Sequence, residues 1–196
     1  MSSTQRVFGP SYRSSGDAAQ DRLAFFHILE ALKTQKRTGW IPDAESISDH
    51  MYRMAVLALC SEDTKLDISK CVMLAVVHDL AEATVGDITP DEGISKEEKK
   101  QLEENAMRNF CEEMLQKSSV AQRVYDLWKE YEDQVTPEAK FVKDLDRIEM
   151  ALQAREYERR HSSSIPDLDL RPFYNSSIPK LQTDEVKRWG EALMEE

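Results

Sequence analysis

Glycine and proline are scarce. Six and seven occur among 196 residues, about half their usual combined share of about 12%. A β-rich fold with many tight turns is therefore disfavoured, and a mostly helical chain is expected. Cysteine is scarcer still: Cys60, Cys71 and Cys111 are odd in number, widely spaced and set in apolar or helical surroundings. That pattern argues against both a disulfide framework and a thiolate zinc site, and a reducing, cytoplasmic setting is the simplest expectation. Positive charge is in deficit, with 26 Lys and Arg against 37 Asp and Glu and a net charge of -11. A surface of that sign repels phosphate backbones and anionic lipid, so neither a nucleic acid polymer nor a membrane is expected as the main partner. No apolar run approaches the roughly 20 residues that cross a bilayer.

The length suits one sizeable core and one domain. Residues 1–20 are expected to form a flexible N-terminal tail. Arg6, Arg13 and several serines without an acid also suit a weak mitochondrial leader, the less favoured reading. Residues 21–161 carry the main domain, with a first helix over Asp21–Gln35 whose apolar face uses Leu23, Phe26, Leu29 and Leu32. Gly39 and Pro42 break the chain after it, leaving Arg37 and Trp40 on a loop. Ser46 stands three residues before Asp49, a capping-box spacing that opens a second helix with His50 in its first turn. Its apolar face continues through Met51, Met54, Ala55, Ala58 and Leu59. A third helix follows Asp67 and runs without interruption to Ala83, apolar all round between Cys71 and Val77. Gly86 and Pro90 bracket a loop bearing Asp87. Further helices are predicted after Ser95, around Val120–Tyr131 and from Pro137. Residues 162–196 are read as an irregular segment plus a short helix from about Thr183, packed on the domain.

Chemistry concentrates at His78 and Asp79, an imidazole and a carboxylate placed directly after seven apolar residues. Burying an ionised aspartate without a partner costs several kcal/mol at least, so a cation is expected beside it. His50 and Asp146 stand in the same predicament on other predicted helices. Together the four side chains offer two nitrogens and two carboxylates, a set suited to magnesium or a divalent first-row ion and leaving room for water. Glu82, one turn beyond, can address that water, and Asp87 supplies a second acid. Arg37 can fork onto phosphate oxygens, and Trp40 can stack on a sugar or base.

His50, the His78-Asp79 dyad and Asp146 resemble the HD-domain phosphohydrolases, and the surrounding sequence resembles their 5'-deoxynucleotidase branch. The resembling stretches are residues 36–40 (KRTGW), 45–55 (ESISDHMYRMA), 78–82 with 86–88 (HDLAE, GDI) and 139–146 (AKFVKDLD). The resemblance implies an all-α HD-domain helical bundle with residues 21–161 as the phosphohydrolase domain. It also implies a divalent metal (Co²⁺, Mn²⁺, Mg²⁺ or Zn²⁺) held by His50, His78, Asp79 and Asp146, and a deoxyribonucleoside 5'-monophosphate substrate. Glu82 and Asp87 are implied in proton handling, Arg37 at the phosphate, Trp40 and Asp87 around the deoxyribose, and a homodimer as the assembly. Two competing readings stay open. One is another HD-type phosphohydrolase or phosphodiesterase. The other is a non-catalytic helical interaction protein braced by its metal, with the acidic surface and the Trp128–Tyr131 region binding its partner.

Overall fold

Side-chain caps fix where several helices begin. The computed structural model describes residues 11–89 and 92–196. Pro90, expected to close the loop after Gly86, lies outside the described residues. The helices are α1 (Ala18–Ile28), α2 (Glu30–Thr34), α3 (Ile47–Leu59), α4 (Ile68–Val77), α5 (Glu82–Val85), α6 (Lys96–Asn109), α7 (Ser119–Asp133), α8 (Pro137–His161), α9 (Arg171–Ser177) and α10 (Asp184–Glu195). Among the described residues, extended pairing is limited to an isolated antiparallel bridge between Lys36 and Ser46. None of the described helices is long and apolar enough to cross a membrane.

The expected caps form. Ser46 Oγ accepts from the Asp49 amide at 3.1 Å, while the Asp49 carboxylate accepts from the Ser46 amide at 2.9 Å. This reciprocal capping box satisfies two donors that a helix start leaves exposed. Ser95 Oγ accepts from the Glu98 amide at the start of α6, and Thr136 Oγ1 accepts from the Ala139 amide just before Pro137 opens α8.

The chain forms two compact units. The described part of the first comprises residues 11–51 with 77–129. Phe25, Met51, Val77, Ile88, Met107, Phe110 and Trp128 belong to its core, and the Phe25 and Phe110 rings meet edge to face at 5.7 Å. Trp128 and Tyr131 are buried, so these two side chains are not available as a docking surface. α1 begins three residues earlier than predicted, because Asp17 caps it, and its helical run breaks at Leu29. Its inner face is Asp21 and Phe25, and Leu23 and Phe26 are exposed. Asp21 turns inward because it accepts five hydrogen bonds. They come from Tyr12 Oη, Ser14 Oγ, the Ser15 amide and Oγ, and Gln116 Nε2. The Ser14 hydroxyl contributes most to holding its carboxyl well below the usual range, against the opposing pull of burial. These bonds tie down residues 12–15, part of the stretch expected to be a flexible tail.

The second unit comprises Tyr52–Val76 with Glu130–Glu196. α9 and α10 pack on α8, so the stretch Ser162–Pro179 is only partly irregular. Buried Asp144 on α8 accepts from the Gln182 and Thr183 amides, both at 2.7 Å, and from Thr183 Oγ1 at 2.9 Å. One carboxylate thereby seats the start of α10. Arg53 on α3 reaches buried Glu149 through Nε at 2.8 Å and Nη2 at 2.5 Å, and also reaches Gln153 and Glu156. α4 is not buried on every side as its composition suggested: Met73 and Val76 are exposed, as is Leu59 on α3.

Candidate active site

The predicted helix through Ala83 stops at Val77, and the stop shapes the site. Leu80, Glu82 and Ala83 donate their amides to Val77, Asp79 and Leu80 carbonyls, a run of i→i+3 turns. Such tight turns have three residues per revolution, so residues three apart eclipse and Asp79 and Glu82 share one side. The His78-Asp79 dyad thus sits on a turn between α4 and α5 rather than inside a helix.

His50, fixed in the first turn of α3 by the capping box, is fully buried, as is most of His78. Their rings meet at 5.4 Å between centroids and 63°. Both Nε2 atoms lie near one oxygen: Asp79 Oδ2 is 3.1 Å from His78 Nε2 and 3.8 Å from His50 Nε2. Two imidazole nitrogens and a carboxylate oxygen gathered within a few ångströms form a donor set that fits a small dication. Burial pushes the Cys71 and Cys111 thiols up to about 12 and about 11.

Arg37 borders the same carboxylate. Its backbone is set by two rungs, the Arg37 amide donating to Glu45 O at 3.0 Å and the Ile47 amide to Gln35 O at 3.2 Å. Its guanidinium then lies 4.0 Å from Asp79 Oδ2 and 3.9 Å from Glu45 Oε1, with a side chain only 12% exposed. Thr38 donates its amide to Asp87 Oδ2 at 2.7 Å and its hydroxyl to Asp87 O at 3.1 Å. Asp87 is delivered by Gly86, which ends α5 at φ 72°, a left-handed conformation that glycine adopts without Cβ strain. Gly39, at φ 85°, makes the corresponding turn before half-buried Trp40.

Glu82 is buried, and its carboxyl is pushed up first by that burial and then by the negative charges of Asp79 and Asp87. Lys99 and Arg37 pull it the other way. A buried acid of raised pKa beside a candidate metal centre is equipped to exchange protons.

Within the first unit, then, the structure brings together His50, His78, Asp79, Arg37, Glu82 and Asp87, with Trp40 on the Arg37 loop. Asp146 belongs to the second unit. There Asp146 Oδ2 accepts from Tyr131 Oη at 2.9 Å and pairs with Lys143 Nζ at 2.7 Å, while Arg147 turns to Asp144. Glu45, Thr38 and Lys99 join the neighbourhood without having been singled out as functional. Glu45 and Thr38 lay inside the resembling stretches, whereas Lys99 was hidden in a charged helical run. A cleft of about 740 Å³ in the second unit contains none of the predicted residues.

The HD domain profile matches residues 29–189. The chain belongs to the HD domain family. It is 45% identical over 192 residues to 5'-deoxynucleotidase HDDC2 of Xenopus laevis, covering 93% of this chain and 90% of that one. It is 41% identical over 181 residues to 5'-deoxynucleotidase YGK1 of Saccharomyces cerevisiae, covering 89% and 82%. The solved structure of HD domain-containing protein YGK1 superposes with a TM-score of 0.67 at 34% identity, covering 89% of this chain and 83% of that one. The all-α HD fold expected from the sequence is therefore the fold observed.

Proposed function

We propose that this HD-family chain is a metal-dependent 5'-deoxynucleotidase that converts deoxyribonucleoside 5'-monophosphates to deoxynucleosides and phosphate. The observation that carries the reading is the convergence of both histidine Nε2 atoms on Asp79 Oδ2 with the Arg37 guanidinium 4.0 Å from that oxygen. The names of the relatives, 5'-deoxynucleotidases at 41% and 45% identity, support the substrate class. His50, His78 and Asp79 are the proposed ligands, with Asp146 completing the set on the strength of the sequence pattern. Co²⁺, Mn²⁺, Mg²⁺ and Zn²⁺ all suit mixed imidazole and carboxylate donors. When bound, such an ion supplies Lewis acidity at the phosphoryl group and lowers the pKa of water.

The chain's own residues do the rest. Arg37 holds the phosphate oxygens and balances charge as it spreads over them. Glu82 takes a proton from the attacking water. Oxygen bonds to phosphorus, the ester P–O bond breaks, and a proton ends on the departing 5'-oxygen, delivered by Glu82 or Asp87. Trp40 and Asp87 border the sugar, where a 2'-hydroxyl would be crowded or left without a partner. The expected result is faster phosphate release from dAMP than from AMP. Equal kcat/KM values for the two would remove the sugar selectivity and the roles of Trp40 and Asp87.

The proposal includes self-association as a homodimer. Exposed Tyr52, Val56 and Leu59, spaced along one side of α3, support it as apolar surface that a second copy would cover. Sedimentation velocity showing only a monomer would remove that part.

A further inference from the structure

We propose that Lys99 is a positioning residue for sugar selection, fixing the Asp87 segment against the Arg37–Trp40 loop. The inference rests on the deoxynucleotidase reading above. In sequence, Lys99 belongs to the charged run Lys96–Glu104, which reads as a solvated helix face with i,i+4 pairs. In the structure its neighbours Lys96 and Lys100 are exposed, but Lys99 is half-buried and aims inward. Its Nζ donates to the Ile88 carbonyl at 3.2 Å and lies 3.4 Å from Glu103 Oε1, one turn along α6.

The consequence lies in what Ile88 follows. Its side chain is buried in the core of the first unit, and its carbonyl is held by the Lys99 ammonium. The backbone directly after Asp87 is thereby anchored through both groups. Asp87 in turn accepts the Thr38 amide through its carboxylate and the Thr38 hydroxyl through its carbonyl. A continuous path, Glu103–Lys99–Ile88–Asp87–Thr38, therefore links α6 to the loop that carries Arg37 and Trp40. Burial pulls the Lys99 ammonium down, but Glu103, Glu82, Asp79 and Asp87 together raise it above its ordinary value, so the strut stays charged at neutral pH. A group that holds the sugar-facing carboxylate in place governs which sugar fits, since small displacements of a positioning contact cost large factors in rate.

The test compares kcat/KM for dAMP and AMP in Lys99→Met, Lys99→Arg and Asp87→Asn, with exposed Lys100→Met as the control for lost helix charge. The dAMP preference is expected to fall about tenfold or more in Lys99→Met, mainly through a higher kcat/KM for AMP, and to recover in Lys99→Arg. Lys100→Met is expected to keep it. A merely structural role would lower kcat and Tm while leaving the ratio alone, and an unchanged ratio in folded Lys99→Met overturns the proposal. If Lys99→Met fails to fold, Glu103→Gln removes only the carboxylate that aims the ammonium, and its ratio must fall in the same direction. Asp87→Asn separates the two readings. A ratio lost there but kept in Lys99→Met overturns the Lys99 inference alone, whereas a ratio kept in both overturns the sugar-selection role of Asp87 on which it rests.

Discussion

Asp79→Ala is expected to reduce bound metal to background and to abolish phosphate release from dAMP. Asp79 Oδ2 is the atom on which both imidazoles converge, at 3.1 and 3.8 Å. Without it, the two imidazoles would face a dication and the nearby Arg37 guanidinium with one carboxylate fewer between them. Arg37 lies 4.0 Å from that oxygen in the native protein, so the substitution also removes the charge that separates the guanidinium from the metal centre. Removing a half-buried group whose charge neutralises others leaves the remainder less compensated, which costs more than the contact itself. Elemental analysis of the folded variant beside a phosphate-release assay reads both effects. Full metal content in Asp79→Ala would remove Asp79 from the ligand set.

Glu82→Gln is expected to keep the metal and lose about 10²–10⁴ in kcat, the usual contribution of a positioned acid–base group. The substitution preserves size and leaves His50, His78 and Asp79 untouched. The pH profile carries the second half of the prediction. Burial, then Asp79 and Asp87, push the Glu82 carboxyl up, while Lys99 and Arg37 oppose them. The carboxylate is the proton-accepting form, so the rate must rise with pH as Glu82 ionises, and that acid limb should lie above the ordinary glutamate range. In Glu82→Gln the limb should disappear. A variant with native kcat, or one that retains the same limb, would assign proton transfer elsewhere, with Asp87 the next group to test.

Much of the fold was legible because helix starts are written locally. Ser46 with Asp49, Ser95 with Glu98, and Thr136 before Pro137 each satisfy backbone donors within three or four residues, so the pattern survives without tertiary information. The candidate site was legible for a related reason, since an imidazole and a carboxylate at the end of an apolar run need a partner wherever the chain folds. Helix ends and inward faces were harder. Leu80, Ala81 and Ala83 are helix formers, and nothing local announces that α4 yields at Val77 to tight turns. Hydrophobicity alone placed Leu23 and Phe26 inside, because the buried side of α1 is chosen partly by Asp21 and its five donors, including Gln116, which is distant in sequence. The inward aim of Lys99 is illegible for the same physical reason: beside Glu103 it binds a backbone carbonyl, which has no sequence signature.

The most direct measurement is phosphate release from dAMP by the full chain after chelation, followed by titration with Co²⁺, Mn²⁺, Mg²⁺ or Zn²⁺ while bound metal is counted. The account predicts no turnover in the chelated protein, binding of about one ion per chain, and activity that rises in step with occupancy. Undiminished dAMP hydrolysis by metal-free protein would contradict it. So would stoichiometric loading with any of the four ions that yields no phosphate.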